Sequence, residues 1–298
     1  MTSFYTIISQ NPLYCNEFST KEDFGLNPTE RRLTPGYFRI MLTASKQKEG
    51  NPMNLIPATN YDEASKKAAE FIAVQIKGKS DSVLGLATGG SPVGIYERLV
   101  DAYRAGLDFS QVRTVNLDEY VGLASDHPQS YAYYMHTNLF RHINISLDNV
   151  HIPDGTDRNI QQQCASYDRL IGELGGIDLQ LLGIGHNGHI GFNEPSTEFT
   201  KGTHCVDLTQ TTIEANARYF ERETDVPVKA YTMGILHIMQ AKKVLMIACG
   251  SDKARILHRA FYGPVTPEVP ASILQFHPNF TLIADNQALQ YFNKNTLN

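Results

Sequence analysis

From residue 53 onward, the chain alternates between short apolar runs and segments in which apolar residues recur every three or four positions. Short apolar runs bounded by turn residues are typical of strands buried on both faces, and the second spacing is typical of helices that cover such strands. The pattern predicts an α/β fold of three layers, with a mainly parallel central sheet and helices on both faces. After a first strand that begins near Met53, the predicted strands are 82–87, 114–117, 178–185, 242–250 and 280–285.

Capping and stopping residues mark where the predicted helices begin and end. Asn60 followed by Glu63 resembles a capping box, and Gly78 suits the end of that helix. Ser91 and Ser251 are predicted to be the N-caps of two later helices. The predicted helices cover about 60–78, 91–103, 129–141, 158–173 and 251–262.

Residues 1–52 lack this patterning, because they show no sustained period of two or of about 3.6 residues. We therefore expect an N-terminal extension over 1–52, poorly ordered and outside the catalytic fold, and a single α/β domain over 53–298. The extension has neither the basic start nor the continuous apolar segment of a secretory signal peptide. A targeting or regulatory role for it stays open.

The composition restricts the classes of partner. Lys and Arg number 26 against 31 Asp and Glu, so the formal net charge is −5, whereas nucleic-acid and membrane-surface binding call for basic patches. No apolar run is long enough for a transmembrane helix. Widely spaced cysteines predict reduced thiols in a cytoplasmic protein and argue against structural zinc; they are Cys15, Cys164, Cys205 and Cys249. Assembly into a homo-oligomer stays open.

Three unusual stretches follow predicted strands, at the edge where parallel sheets bind ligands. The first is ATGGSP, residues 87–92. Gly89 and Gly90 let the backbone approach a ligand closely, and the N–H groups of the following helix favour an anion such as phosphate. Ser91 adds a hydroxyl donor. The alternative is a tight turn with an ordinary serine cap.

The second stretch, NLDEYVGL (116–123), places two adjacent acidic residues directly after a strand. We expect Asp118 to point over the edge of the sheet as a general base. Glu119 should face elsewhere, because neighbouring side chains of an extended chain diverge. The alternative is that both acids are solvated loop charges.

The third stretch, GIGHNGHIGFNEP (183–195), carries two histidines in a glycine-rich loop. His186 and His189 lack a third nitrogen or thiolate ligand at a familiar spacing, which disfavours a metal site. An imidazole is well suited to moving a proton, and Glu194 can reach back to orient or charge it. Phe192 is expected to pack in the core.

Two basic residues are candidates for binding an anion. Lys253 is predicted in the first turn of a helix, where a cation opposes the helix dipole unless an anionic ligand lies there. Arg218 is predicted on a helix between strands, within TIEANARYF, and the alternative for it is an ordinary surface arginine.

The same motifs occur together in one known family. From about Met53 to its C-terminus, the chain resembles the glucosamine-6-phosphate deaminase (glucosamine-6-phosphate isomerase) family, which has a Rossmann-like fold. The motifs that carry the resemblance are, in order, LGLATGGSP, NLDEYVGL, SYAYYMHTNLF, LLGIGHNGHIGFNEP, ARYF and ACGSDKA. The resemblance implies conversion of glucosamine 6-phosphate and water to fructose 6-phosphate and ammonia, without a metal or an organic cofactor.

The resemblance also implies a role for each candidate residue. Asp118 is the base that moves a proton between C2 and C1, and His189 assists opening of the pyranose ring with Glu194 as its partner. Asn187 stands where some members of the family have aspartate, so a charged Asp–His–Glu triad is not expected. The phosphate is expected against Gly89, Gly90, Ser91, Arg218 and Lys253.

Allosterically activated members of the family carry basic residues after the catalytic glutamate. Here the segment STEFTKGTHCV (196–206) holds only Lys201 as a formal cation, which disfavours an effector site for N-acetylglucosamine 6-phosphate. The alternatives to a deaminase are a hydrolase similar to 6-phosphogluconolactonase, which shares the fold, and a non-catalytic sugar-phosphate sensor. The GFNEP and NLDEY motifs favour the deaminase, and the full set of acid and base residues favours turnover.

A chain that begins at Met53 should keep its melting temperature and its kcat, because regular patterning starts there. Thermal unfolding and steady-state kinetics of the full chain and of the shortened chain provide the comparison. Loss of folding or of activity on shortening would show that residues 1–52 belong to the fold.

Overall fold

The structure is a computed structural model that describes residues 53–208, 213, 220, 222 and 225–292 of the chain. The predicted extension over 1–52 and the candidate Arg218 lie outside the described residues. The described residues from Met53 onward belong to one compact unit. No helix among them is long and apolar enough to cross a membrane.

Strands and helices alternate along most of the described chain. The strands are β1 (Asn54–Ala58), β2 (Val83–Leu86), β3 (Arg113–Asn116), β4 (Asp118–Tyr120), β5 (Val150–His151), β6 (Leu179–Leu182), β7 (His204–Asp207), β8 (Lys229–Thr232), β9 (Val244–Ala248) and β10 (Phe280–Asp285). The α-helices are α1 (Tyr61–Gly78), α2 (Val93–Arg104), α3 (Tyr131–Asn138), α4 (Ile160–Glu173), α5 (Ile235–Gln240) and α6 (Ala254–Tyr262). Short 3-10 helices cover Phe140–His142, Leu147–Asn149, Ser251–Lys253 and Pro270–Phe276.

The main sheet contains the strands that the apolar runs predicted. Its order within the described chain is β1-β10-β9-β6-β2-β3-β5, and its neighbouring strands are parallel. Every residue of β2, β6, β9 and β10 is buried, as expected for strands covered on both faces. The predicted Rossmann-like α/β architecture with a mainly parallel central sheet is confirmed.

One face of the main sheet packs against α1, α2 and α3. Alternate residues of the central strands contribute to this core, among them Leu86, Leu181 and Ile247. The face of α1 that meets them carries small and apolar residues at helical spacing, namely Ala64, Ala68, Ile72 and Ile76. Burial of each large aliphatic side chain stabilises the fold by roughly 1.5–3 kcal/mol. This packing fixes the three helices relative to the carboxyl edge of the sheet.

A second sheet was not predicted. Within the described chain, β4, β8 and β7 pair antiparallel in that order. The chain leaves the main sheet at Leu117, and Asp118 and Glu119 then begin β4 instead of forming a loop. Asp118 is only 7% exposed and Glu119 only 2%, so the alternative of two solvated loop charges is wrong.

Helix starts agree with the prediction at one place and differ at two. Asn60 caps α1 as predicted, because its side chain accepts the N–H of Glu63. Ser91 is not the N-cap of α2, since Pro92 occupies that position and no side chain caps the helix. Ser251 begins a 3-10 turn instead of capping α6, which starts three residues later. At both serines the turn of the preceding loop extends further than expected, so helical hydrogen bonding begins later.

The strand order reverses between β2 and β6. The chain runs through β2, β3 and β5 toward one edge of the sheet, and through β6, β9 and β10 in the other direction. Such a switch point leaves a crevice beyond the carboxyl ends of the two strands. The loops after β2, β6 and β9 begin at this edge, and Asp118 follows β3 at the same edge.

Candidate active site

The glycine loops after β2 and β6 meet at the switch point. A Cβ placed on Gly183, just after β6, would lie 3.7 Å from the hydroxyl oxygen of Ser91, after β2. The structure therefore brings together the first and third of the unusual stretches, which are separated by about ninety residues in the sequence.

Two tyrosines hold the backbone of the loop after β2. Tyr134 of α3 donates its hydroxyl to the carbonyl of Gly89 at 2.6 Å. The hydroxyl of Tyr61, at the start of α1, lies 3.1 Å from the carbonyls of both Gly90 and Ser91. Gly89 has a φ of +92°, which favours glycine, and the space beside Gly89 and Gly90 is open. The two tyrosines fix the backbone of this loop, and the open space beside the glycines leaves room for a ligand.

Neither tyrosine was predicted from the sequence to contact this loop. An aromatic residue on a helix more often marks the buried face of that helix than a contact with a binding loop. The one signal that could have found Tyr134 is its place in SYAYYMHTNLF, four residues after the serine that caps α3.

Asp118 is buried at the switch point with a free oxygen. Its Oδ1 atom has no hydrogen-bond partner. Its Oδ2 atom faces the loop after β6, where a Cβ on Gly191 would lie 3.7 Å away. Burial, together with the neighbouring charge of Glu119, raises the pKa of Asp118 from 3.8 to about 8. A carboxyl group with a raised pKa and an unpartnered oxygen is arranged for proton transfer.

Glu119 has different surroundings from its neighbour. Its carboxylate accepts the N–H groups of Tyr131 and Ala132, at 2.9 Å each, at the start of α3. Burial raises the pKa of Glu119 to about 7, although these hydrogen bonds oppose the rise. The two adjacent acids therefore diverge, as expected: one carboxyl group is held by the backbone and the other keeps a free oxygen.

His189 and Glu194 form a close pair on the loop after β6. Nδ1 of His189 lies 3.1 Å from Oε1 of Glu194, although not in the direction of an aligned hydrogen bond. The amide of Asn187 donates to Oε2 of Glu194 at 2.6 Å, and its carbonyl oxygen accepts the N–H of His189 at 3.1 Å. Burial alone would raise the pKa of Glu194, but His189 and Asn187 outweigh burial and lower that pKa. The carboxylate therefore stays ionised beside the imidazole at neutral pH.

Glycines shape the loop around the histidine ring. A Cβ on Gly185 would lie 2.2 Å from the ring of His189, so any side chain there would displace the imidazole. Gly188 has a φ of +93°, and a Cβ on it would lie 2.7 Å from the side chain of Val269. The loop needs glycine at both positions to seat the imidazole where it is.

His186, the first histidine of the motif, contacts a different loop. Nε2 of His186 lies 2.6 Å from Oδ2 of Asp252, which follows β9. The ammonium of Lys253 lies 3.8 Å from the same oxygen, and only 16% of this side chain is exposed. Lys253 occupies the N-cap position of α6, whereas the prediction placed it in the first turn of that helix. Burial lowers the pKa of Lys253, and Asp252 opposes this change.

No group of three or more His, Cys, Asp or Glu side chains in the described part of the chain is arranged to hold a metal ion. A cavity of about 310 Å³ lies beside Glu194 and is lined in part by residues of the segment 196–207. The ionisable residues in its lining are Glu194, Glu198, His204 and Asp207. Burial lowers the pKa of His204, so this imidazole adds no positive charge at neutral pH. Among the described residues, no lysine or arginine lines the cavity.

Known proteins of similar sequence share most of this chain. The sequence profile of glucosamine-6-phosphate isomerases/6-phosphogluconolactonase matches residues 57–282. The glucosamine-6-phosphate deaminase of Lachnoclostridium phytofermentans is 59% identical over 232 residues, which cover 78% of this chain and 98% of that protein. The protein of the same name from Geobacillus sp. is 54% identical over 238 residues, which cover 80% of this chain and 95% of that protein.

Solved structures show the same relationship. A monomeric glucosamine-6-phosphate deaminase is 44% identical with a TM-score of 0.77, over 80% of this chain and 99% of that one. A 6-phosphogluconolactonase from Leishmania guyanensis shares the fold, at 21% identity and a TM-score of 0.63, over 80% of this chain and 97% of that one. Because the family profile and these relatives match most of its length, the chain belongs to the glucosamine-6-phosphate isomerase/6-phosphogluconolactonase family.

Proposed function

We propose that this protein is a glucosamine-6-phosphate deaminase, which converts glucosamine 6-phosphate and water to fructose 6-phosphate and ammonia. The observation that carries the proposal is the buried carboxyl group of Asp118, which has an unpartnered oxygen and faces the loop of His189 and Glu194. Relatives that bear this name are 54–59% identical over nearly their whole length, which supports the same chemistry.

Asp118 is the base that moves a proton between C2 and C1 of the open-chain sugar. Its free oxygen takes the proton from C2 while the C1 oxygen gains a proton from solvent, which leaves an enolic amine. The carboxyl group then returns its proton to C1, which gives a protonated imine at C2. Water then hydrolyses the imine to the ketone and releases ammonia. A carboxyl group with a pKa of about 8 is a stronger base than an exposed aspartate once it is ionised.

His189 and Glu194 act in ring opening, which needs proton transfer at the ring oxygen. The ionised carboxylate of Glu194 stabilises the imidazolium that forms when His189 takes up a proton. Asn187 supplies no charge and instead orients Glu194 through the hydrogen bond from its amide. The negative charge on which the imidazolium depends therefore comes from Glu194.

The phosphate group binds against the loop of Gly89, Gly90 and Ser91 and against Lys253 in this proposal. Open space beside the two glycines and a mostly buried ammonium group at the start of α6 support it. A dianion there would offset the cost of a cation at the positive end of a helix. Phosphate contacts distant from C1 and C2 supply positioning energy for the reaction. Arg218, the third contact in the proposal, lies outside the described residues.

Two other activities are less well supported. The lactonase noted above is only 21% identical, against 44% for the deaminase of known structure. A non-catalytic sugar-phosphate sensor has no use for a buried carboxyl group with an unpartnered oxygen, which lowers stability.

We also propose that the protein is cytoplasmic, since Cys164, Cys205 and Cys249 are free thiols. The deaminase of known structure is described as monomeric, and a homo-oligomer stays the alternative for this chain.

The purified protein should release ammonia and fructose 6-phosphate from glucosamine 6-phosphate, and Asp118→Asn should abolish this release because an amide cannot take up the carbon-bound proton. Deuterium exchange from solvent into the sugar should stop as well, while calorimetry should still detect sugar-phosphate binding. Normal exchange in Asp118→Asn would remove Asp118 from the role of base. Hydrolysis of 6-phosphogluconolactone without ammonia release would favour the lactonase, and binding without turnover would favour the sensor.

Asp118→Asn should also stabilise the fold at neutral and alkaline pH. The pKa of Asp118 is about 8 in the folded state against 3.8 for the unfolded group, so the folded wild type binds the extra proton between these values. Wild-type stability therefore falls as pH rises from about 4 to 8, by roughly 1 kcal/mol per pH unit, and levels off above the folded pKa. Urea unfolding of both proteins from pH 5 to 9 should show a difference that grows with pH, and a constant difference would contradict the buried, raised pKa.

Glu194→Gln should slow turnover of the cyclic sugar by roughly 10²–10⁴-fold, because the imidazolium loses its counter-charge. Asn187→Ala should cost less, since it removes two orienting hydrogen bonds, to Glu194 and from the N–H of His189, but no charge. The comparison uses the cyclic sugar and an open-chain analogue that needs no ring opening. If Glu194→Gln slows both substrates equally, Glu194 does not act in ring opening, and a larger loss in Asn187→Ala would reverse the order.

The enzyme should show near-hyperbolic kinetics and no activation by N-acetylglucosamine 6-phosphate. Among the described residues, the ionisable side chains that line the cavity beside Glu194 are carboxylates and a neutral imidazole, which do not attract a second phosphate. Initial rates over a range of substrate concentrations, with and without that compound, provide the measurement. A sigmoidal curve that becomes hyperbolic on its addition would show that an effector site exists.

A further inference from the structure

Glu119 has no part in the proton transfers proposed above, yet it is the immediate neighbour of the proposed base. Only 2% of the residue is exposed. Its Oε1 atom accepts the N–H groups of Tyr120 at 2.8 Å and of Tyr131 at 2.9 Å, and its Oε2 atom accepts the N–H of Ala132 at 2.9 Å. Both oxygens are therefore committed to the backbone, in contrast to Oδ1 of Asp118.

Two of these donors are the first residues of α3. The N-terminus of a helix has free N–H groups and a positive dipole end, so a carboxylate is stabilised there. The N-cap of the same helix is a separate residue, because the hydroxyl of Ser130 accepts the N–H of Tyr133. Glu119 thus adds a second anchor, from β4, to a helix that already has an ordinary cap.

The anchored helix reaches both loops of the proposed site. Tyr134 donates to the carbonyl of Gly89 in the loop after β2. The ring of Tyr131 stacks on Phe192, in the loop after β6, with ring centroids 6.2 Å apart and planes within 7°. Phe192 is thereby held in a small apolar cluster that includes Tyr120, as expected of a packing residue.

We propose that Glu119 is a positioning residue. Through its hydrogen bonds to the start of α3, it fixes the loop after β2 and the loop after β6 relative to Asp118. The inference rests on the proposed deaminase function, since it assigns the positioned groups their roles. Glu119 lies on β4 beside the proposed base and binds the N–H groups at the start of α3. From α3, Tyr134 contacts Gly89 and Tyr131 contacts Phe192.

The position of Glu119 has an electrostatic consequence for its neighbour. Burial is the main cause of the raised pKa of Asp118, and the negative charge of Glu119 raises it further. Among the described groups with a shifted pKa, the others whose charges couple to Asp118 are neutral tyrosines, namely Tyr96, Tyr131 and Tyr167. The negative charge of Asp154 likewise raises the pKa of Glu119. Removal of the charge at Glu119 should therefore lower the pKa of Asp118.

Three variants separate positioning from simple helix capping. Glu119→Gln keeps the size of the side chain but removes its charge and one acceptor. Glu119→Asp keeps the charge but is one methylene shorter, so it cannot hold α3 in the same place. Ser130→Ala is the matched control, because it weakens the same helix end and leaves Glu119 intact; its melting temperature should fall by about 2–4 °C.

The measurements are the melting temperature, the KM for glucosamine 6-phosphate, the inhibition constant of inorganic phosphate, and the pH dependence of kcat/KM. In Glu119→Gln we expect KM and the inhibition constant to rise by about tenfold, and the acid limb of the pH profile to move down by about one pH unit. In Glu119→Asp we expect the raised KM with the wild-type acid limb. In Ser130→Ala we expect wild-type values of KM, inhibition constant and acid limb.

Wild-type KM and a wild-type pH profile in Glu119→Gln, or the same behaviour as Ser130→Ala, would reduce Glu119 to a helix cap and overturn the inference. If Glu119→Gln does not fold, Glu119→Asp tests the inference instead. A wild-type KM in folded Glu119→Asp would also overturn the positioning role. Failure of the proposed function looks different, since the wild-type protein itself would then release no ammonia.

Discussion

The burial of two adjacent carboxyl groups at the edge of the main sheet is the constraint on which the site depends. A buried carboxylate is costly unless hydrogen bonds or opposite charges compensate it. Three backbone N–H groups meet this cost at Glu119, whereas Asp118 has an oxygen with no partner. The remainder of the fold, with its parallel strands buried on both faces, must supply the stability that Asp118 removes. The result is a carboxyl group with a raised pKa, which suits the proton transfer at carbon that we propose for Asp118.

The backbone of the main sheet determines which residues can share the site. Parallel strands direct their carboxyl ends to one edge, so loops distant in sequence meet where the strand order reverses. Glycine then lets these loops come close: a side chain at Gly185 would occupy the space of the His189 ring. The same loop carries Asn187 and Glu194, whose hydrogen bond fixes the carboxylate beside that ring. The order of the strands brings the acids and the histidine together, and the glycines set the distances between them.

Features with a local signal were predictable from the sequence, and those that depend on distant contacts were not. The buried strands follow from their apolar runs, and the cap at Asn60 follows from a partner three residues away. The cap predicted at Ser91 was wrong because the path of that loop depends on contacts such as the one with Tyr61, thirty residues earlier in the chain. The second sheet pairs Asp118 with Thr232 across a separation that no local pattern records, and its short strands contain polar residues.

In the candidate site, too, the residue types were predictable from the sequence and the contacts between distant residues were not. The types of residue at Asp118, His189, Glu194 and Lys253 indicated acid–base chemistry and anion binding, and the resemblance to a family supplied their roles. The structure places Asp118, at the start of β4, beside the loop after β6 that carries His189 and Glu194. The hydrogen bond from Asn187 to Glu194 was not predictable, because the two residues are seven positions apart in an irregular loop. The tyrosine contacts to the loop after β2 were not predictable either, since Tyr134 is 45 residues from Gly89 in the sequence.

The distribution of charge across the site matches the polarity of the proposed substrate. Glucosamine 6-phosphate carries an amino group at C2 and a phosphate at C6, and a chain with a net charge of −5 attracts the phosphate only where a cation is held locally. Lys253 follows β9 and Asp118 follows β3, with β6 and β2 between them in the sheet. A sugar phosphate that places its dianion at the lysine end directs its amino-bearing carbon toward the acids, and the reverse orientation would set phosphate against carboxylates. The proposed phosphate contact at Lys253 therefore agrees with the distribution of charge along this edge of the sheet.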